Sequence, residues 1–310
     1  MNAFKKLDFM GARKPIGIIS LILVIASVVL LATRGLNLGL DFTGGTVIEV
    51  HAEEGVDLEL ARTSLAGTPY EGAVLQYFGS QKDMIVRVAP KADAELDIKP
   101  DEVGLRVFDL LSRDQPALEN RRVEFVGPQV GDELRDQSGL AMLFALIAML
   151  VYVWFRFTNK FGISAVVALF HDVIVVLGVF SVFQWEVDLT VLAAMLALIG
   201  YSINDSIVIA DYVRDTFRTT RKDNPEEVVN DAVVRTLGRT INTGLTTMLV
   251  LVALFIFGGP AVRSFSEALL IGIFVGTYSS IYIVCNLALS LNLNKEDFML
   301  PERQEVDEMP

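Results

Sequence analysis

Six stretches of this 310-residue chain are apolar enough and long enough to cross a lipid bilayer, and that restricts the fold more than any other feature. They are Ile16–Ala32, Leu140–Phe155, Phe161–Phe183, Leu189–Ala210, Ile241–Phe257 and Phe265–Leu291. Hydrocarbon offers no water to backbone N–H and C=O groups, so each crossing of about 20 residues must be a helix. The first run follows Lys5, Lys6, Arg13 and Lys14, as the n-region of a signal peptide would. No small-x-small cleavage site clearly follows Ala32, so this run is expected to stay as an anchor.

Basic flanks set the expected orientation. The amino-terminal segment carries four Lys/Arg against one acid, Asp8. Arg156 and Lys160 flank the tight loop between spans two and three. Arg214, Arg218, Arg221, Lys222, Arg235 and Arg239 lie between spans four and five. All three segments read as cytoplasmic, whereas Gln184–Asp188 and Gly258–Ser264 read as outer turns. Both termini then lie in the cytoplasm, and residues 34–137 lie on the outer side of the bacterial cytoplasmic membrane. The expected spans are 15–33, 138–157, 161–183, 189–210, 240–258 and 264–291. Residues 1–14 and 292–310 are cytoplasmic tails, and 211–239 is a cytoplasmic loop whose amphipathic helix, opened by Asn224-Pro225-Glu226-Glu227, runs along the inner surface. The formal charge of −12 comes largely from the outer segment and the tail after Asn294, which argues against nucleic-acid binding. The one cysteine, Cys285, falls in the last span, so the outer segment has no disulfide.

Residues 34–137 read as one small α+β domain. Strands are expected at Thr46–Ala52, Gly72–Phe78, Met84–Ala89 and Arg121–Val126, with a hairpin turn at Gly79–Asp83. Helices are expected at Val56–Gly67 and Pro100–Ser112, burying Leu58, Ala61 and Leu65 and then Val103, Val107, Leu110 and Leu111. The order β-α-β-β-α-β is that of a ferredoxin-like fold. Nucleophile–base pair, metal cluster and phosphate loop are all absent from this stretch. His51 is alone near a strand end, where a surface or packing role outweighs catalysis. The domain reads as a binding or coupling module. Leading into its first strand, Leu38–Gly45 is glycine-dense; Asp41, Gly44 and Gly45 are either a tight turn or a shaped junction coupling membrane to domain.

Chemistry concentrates inside the apolar runs. Asp205 lies in span four, where an ionisable carboxyl costs about 2.5–3.5 kcal/mol at the membrane centre, and the usual reasons for one are a proton path, a buried partner or a structural hydrogen bond. Tyr201 shares its face at i, i+4 spacing, and Ser202, Asn204 and Ser206 widen the polar side. Span five opens with a second polar stripe, Arg239, Asn242 or Thr243, and Thr246. Two such stripes on consecutive spans are expected to face each other. Arg239 then reads either as the charge partner of Asp205 or as a positive-inside residue reaching the interface. His171-Asp172 in span three is a second pair suited to passing protons, or a hydrogen-bonded fixture of the bundle. Gly272, Gly276 and Ser280 form a small-xxx-small ridge on span six, suited to close helix packing.

These residues resemble a known family. Gly39-Leu40-Asp41-Phe42-Thr43-Gly44-Gly45-Thr46, Val123–Pro128, Ala168–Asp172, Ile199–Ser206, Arg239-Thr240, Phe257–Pro260 and Gly276–Tyr282 are similar, collinearly, to the SecF subunits of the bacterial SecD–SecF protein-export complex, within the RND superfamily. The resemblance implies six helices forming half of an RND-type bundle, completed by a SecD partner. It also implies use of the proton gradient to pull unfolded preprotein outward from the SecYEG translocon. Asp205 would be the family's transmembrane carboxylate and Arg239 its arginine, with His171 and Asp172 as further relay residues. The chain is then not an enzyme, and needs membrane lipid but no cofactor beyond the proton as coupling ion. A proton-driven small-molecule exporter and a non-conducting scaffold of the translocon are the competing readings.

Overall fold

The computed structural model describes residues 8–78, 80–89 and 100–298. Lys5 and Lys6, Gly79 of the expected turn and the end of the acidic tail lie outside them. The chain divides into two units, residues 38–141 and the remainder.

In the first unit, strands β1 (Gly45–His51), β2 (Val74–Phe78), β3 (Ser80–Val88) and β4 (Glu119–Val126) form one antiparallel sheet in the order β2-β3-β1-β4. Helices α2 (Leu58–Leu65) and α3 (Pro100–Asp114) cover one face. Side chains alternate across a strand, so Ile48 and Val50 of β1 point the same way, as do Met84 and Val86 of β3. All four are fully buried against Ala61, Leu65, Val107 and Leu111. Asp57 starts α2 by accepting from the backbone N–H of Glu59 at 2.9 Å and of Leu60 at 3.1 Å.

One expectation for this unit needs correction. Residues 80–83 are not a turn: β3 begins at Ser80, and Asp83 pairs with His51 across the sheet. The extension is possible because a register shift between Tyr77 and Phe78 tightens the link between β2 and β3. Val123 and Phe125 are only partly covered, since β4 is an edge strand. Phe125 stays 44% exposed, while Val123 approaches α3 where a Cβ on Gly104 would stand 2.2 Å from its Cγ1. His51 is buried and its Nδ1 lies 2.6 Å from Asp83 Oδ1.

That pair sets an acid limit on the domain. Burial pushes the Asp83 carboxyl up, but hydrogen bonds from Ser80 and His51 outweigh it and hold the group below its ordinary value. A carboxyl depressed in the folded state contributes stability above its unfolded value near 3.8, and that contribution is lost as pH falls through the lower folded value. Asp83→Asn is therefore expected to destabilise the domain at pH 6 and to flatten its loss of stability below pH 4. Denaturant midpoints at several pH values check this.

The second unit is helical. Its long helices are α1 (Arg13–Thr33), α4 (Pro128–Arg156), α5 (Asn159–Phe183), α6 (Leu189–Thr219), α7 (Pro225–Phe257) and α8 (Arg263–Ser279). A π-helical turn, Ser280–Val284, joins α8 to α9 (Cys285–Ser290). With α8 and α9 taken as one span, six helices among the described residues are long and apolar enough to cross a membrane.

Helix ends differ from the apolar runs in three places. Helix α4 starts ten residues early, at Pro128, because its first turns are polar and hydropathy does not register them. Helix α6 continues to Thr219, with Asp211 held by Arg156 at 2.5 Å and Arg214 at 3.2 Å. The expected surface helix is instead the first part of α7, one continuous rod of 33 residues and about 50 Å. Val228, Val229, Ala232 and Val233 bury its apolar face in a core with Ile209, Val213 and Phe217 of α6.

Candidate functional site

Close packing of α8 on α6 builds the site. The ridge of small residues on α8 permits it: a Cβ on Gly272 would stand 2.8 Å from Leu198, and one on Gly276 would stand 3.4 Å from Ser202 Cβ. Small residues let helix backbones approach, and here that approach brings hydroxyls of α8 onto carboxylates of α5 and α6.

Asp205 is 7% exposed. Its Oδ1 accepts a hydrogen bond from Thr240 Oγ1 of α7 at 2.9 Å, and its Oδ2 accepts from Ser280 Oγ. Asp172 of α5 is fully buried. Its Oδ2 accepts from Ser202 Oγ at 2.6 Å and from Ser279 Oγ at 2.8 Å, and its Oδ1 lies 3.0 Å from His171 Nδ1. Four helical segments thus converge on two carboxylates, and adjacent serines of the last helix serve one each. The His171 ring lies 6.4 Å from that of Tyr278, whose hydroxyl lies 2.5 Å from Ser20 Oγ of α1.

One turn of α6 before Asp205, the Tyr201 hydroxyl and Thr277 Oγ1 stand 3.3 and 3.5 Å from where a Cβ on Gly244 would be. A polar layer on α6, α7 and α8 therefore continues from the carboxylate toward the start of α6.

Pairing of Arg239 with Asp205 is not observed. Among the described residues Arg239 makes no ion pair, and it is exposed. Successive residues of a helix are rotated by 100°, so Thr240 takes the face toward Asp205 and Arg239 turns aside. The two polar stripes meet where Thr240 donates to Asp205, and Thr243 comes within reach of the Tyr201 hydroxyl one turn away. Asn204, Arg239, Asn242, Thr243 and Thr246 stay exposed along α6 and α7. Thr243 and Thr246 return their hydroxyls to their own helix, with Oγ1 at 3.0 Å from the Arg239 carbonyl and 2.9 Å from the Asn242 carbonyl. Such back-bonding makes a threonine tolerable on an apolar face.

Asp41, Gly44 and Gly45 lie in the first unit. Asp41 sits in the single helical turn Leu40–Thr43, and Gly44 and Gly45 follow with φ of +65° and +116°. Left-handed backbone of this kind strains any residue with a Cβ. A Cβ on Gly44 would stand 2.9 Å from Pro128 Cα, so this turn is fitted against the start of α4. No group of three or more potential metal ligands occurs among the described residues.

Sequence patterns missed the two donors Ser279 and Ser280 and the role of Thr240. The available signal was the Tyr278-Ser279-Ser280 run inside an apolar span, which small-residue packing alone does not require.

Comparison with known proteins is consistent and covers the chain. Residues 107–294 match the family described as "Protein export membrane protein SecD/SecF, C-terminal", and residues 29–56 match the "SecD/SecF GG Motif". A protein translocase subunit SecF of Vibrio alginolyticus is 44% identical over 100% of this chain and 99% of its own length. Its counterpart from Pseudomonas aeruginosa is 48% identical over 98% of both chains. The crystal structure of SecDF from Thermus thermophilus, described as a translocon-associated membrane protein, superposes with a TM-score of 0.82 at 35% identity. SecDF in its super-membrane-facing form gives 0.68, also at 35% identity. This chain spans 40% of the first SecDF chain and 39% of the second, while 94% and 92% of its own residues are covered.

Proposed function

This chain belongs to the SecD/SecF protein-export family, as a relative of the SecF translocase subunits, and from that premise we propose that it is the SecF half of a proton-driven export motor. One observation carries the reading: Asp205 sits among membrane-length helices, and its hydrogen-bond partners among the described residues are both hydroxyls. Threonine and serine can donate to a carboxylate and accept from a carboxylic acid, so both protonation states are satisfied in one place. A fixed ion pair would instead favour the charged state alone. Proton gain from the outer face and loss to the inner face shifts the packing of α6, α7 and α8. No covalent chemistry is involved, and the proton is the only coupling ion.

The uncovered polar stripe of α6 and α7 supports a partner. Asn204, Arg239 and Asn242 have no side-chain hydrogen bond or ion pair among the described residues, and lipid would leave them unsatisfied. A SecD subunit supplies the missing half of the bundle, matching the share of SecDF that this chain covers. In this arrangement both termini are cytoplasmic and the α+β unit lies on the outer side, where it holds or releases unfolded preprotein leaving SecYEG.

A gradient of 100 mV supplies about 2.3 kcal/mol per proton, roughly a 50-fold bias on a two-state equilibrium. The test uses membrane vesicles containing SecYEG, SecD and this chain, with preprotein arrested after the ATP-driven step. Completion of transit is expected to accelerate under an imposed gradient and to lose that acceleration when a proton ionophore is added. Equal acceleration in vesicles lacking this chain would exclude the role.

A further inference from the structure

We propose that Ser280 is a positioning residue that reads whether Asp205 carries a proton, and that the Ser279–Ser280 pair ties both buried carboxylates to one turn of helix. The inference rests on the proton-coupled reading of Asp205 given above.

A hydroxyl has one proton to donate, and each of these serines has two acceptors within reach. Ser280 Oγ reaches Asp205 Oδ2 and is also 3.0 Å from the Thr277 carbonyl. Ser279 Oγ lies 2.8 Å from Asp172 Oδ2 and 3.1 Å from the Gly276 carbonyl. While Asp205 is ionised, it takes the Ser280 proton. Once Asp205 is protonated it has its own O–H to donate. Ser280 then accepts that bond and turns its proton to the Thr277 carbonyl. The only covalent change is the O–H bond of the carboxylic acid, with hydronium at the outer face as proton source and water at the inner face as acceptor.

The position of the pair gives the reversal a mechanical outlet. Ser280 opens the π turn Ser280–Val284, where the i→i−4 ladder of the helix is already interrupted. Such turns change register at lower cost than a continuous α-helix, and they recur at functional sites. Consecutive residues are rotated by 100°, so Ser279 addresses α5 while Ser280 addresses α6. A change at Asp205 therefore reaches the hydrogen bonds of Asp172 through a single peptide unit. Other ionisable groups around Asp205 are Arg239 on α7, Tyr201 on α6, Cys285 on α9 and the His171–Asp172 pair on α5; none of them hydrogen-bonds to it. A purely space-filling role for a small residue at position 280 would be met equally well by alanine.

Infrared difference spectroscopy of the assembled complex in lipid, recorded across pH, tests this. The Asp205 signal is the protonated-carboxyl band that disappears in Asp205→Asn. In Ser280→Ala that band is expected to shift to the frequency of an acid whose O–H has lost its acceptor, and Ser280→Thr is expected to return it. Ser280→Cys serves in place of threonine if the added methyl blocks assembly. An unshifted band in Ser280→Ala overturns the proposal. Absence of any such band in the unmutated complex at every pH overturns the proton reading itself, which separates the two failures.

Discussion

Replacing Asp205 by Asn leaves the six helices assembled and removes the gradient-dependent part of export. The substitution is nearly isosteric, and the amide oxygen still accepts a hydrogen bond from Thr240 or Ser280 in the way the carboxylate does. An amide in hydrocarbon also avoids the cost of about 2.5–3.5 kcal/mol that burdens an ionised carboxyl at the membrane centre. Stability is therefore expected to stay level or rise. What the amide cannot do is exchange a proton at physiological pH, so a gradient has nothing to act on. Late-stage transit should fall by about tenfold or more, to the rate of gradient-free vesicles, since a bias of roughly 50-fold per proton at 100 mV is lost. The ATP-driven step should be untouched. Full gradient-dependent export with Asn at this position would refute the role of Asp205.

Gly178→Leu is expected to push the second half of α1 away from α5. A Cβ on Gly178 would stand 2.2 Å from Ser27 Oγ, 2.4 Å from Ser27 Cβ and 3.0 Å from Ser27 Cα. The last distance is decisive, because it involves helix backbone and not the movable end of a side chain. Relief requires the α1 backbone itself to move. Overpacking typically costs 1–3 kcal/mol, and more where the backbone must shift. The lipid-side residues Ile18, Ile22, Ile25 and Val29 of α1 are all exposed, and its other attachments are polar: Arg13 to Glu226, Asn286 to the Arg13 carbonyl, and Tyr278 to Ser20 and to the Ile16 carbonyl. A cysteine pair at Val24 and Ile174, which line one groove between α1 and α5, gives the measurement. Crosslinking should be efficient with Gly178 in place, weaker in Gly178→Ala and lost in Gly178→Leu. Equal crosslinking in all three would show that the contact does not position α1.

Much of the architecture was legible in the sequence because apolarity is a property of runs. Twenty consecutive apolar residues read as a span whatever they pack against, and the strand expected at Thr46–Ala52 is found one residue earlier, at Gly45–His51. Helix ends were not legible. The first turns of α4 and the last of α6 are polar, and their helicity comes from continuity with the membrane segment rather than from composition. The site was partly legible for the same reason. Asp205 and Asp172 stand out against apolar surroundings, but their partners are hydroxyls, which are unremarkable in transmembrane sequence. Arg239 stayed open between charge partner and interfacial residue, because opposite charge and similar depth say nothing about a rotation of 100°. Ser280 was read as packing alone, since a ridge with Gly272 and Gly276 accounts for its size without calling on its oxygen. The π turn that begins at Ser280 leaves no periodic trace in sequence.

The central claim is that a proton passes through Asp205 as the motor works. Vesicles holding SecYEG and the complex of this chain with SecD, loaded with a pH-sensitive dye, report proton entry when an outside-acid gradient is imposed during transit of a preprotein. Dye acidification is expected to accompany transit in the unmutated complex and to drop to the level of empty vesicles in Asp205→Asn. Acidification at the same rate in the two complexes would contradict the account.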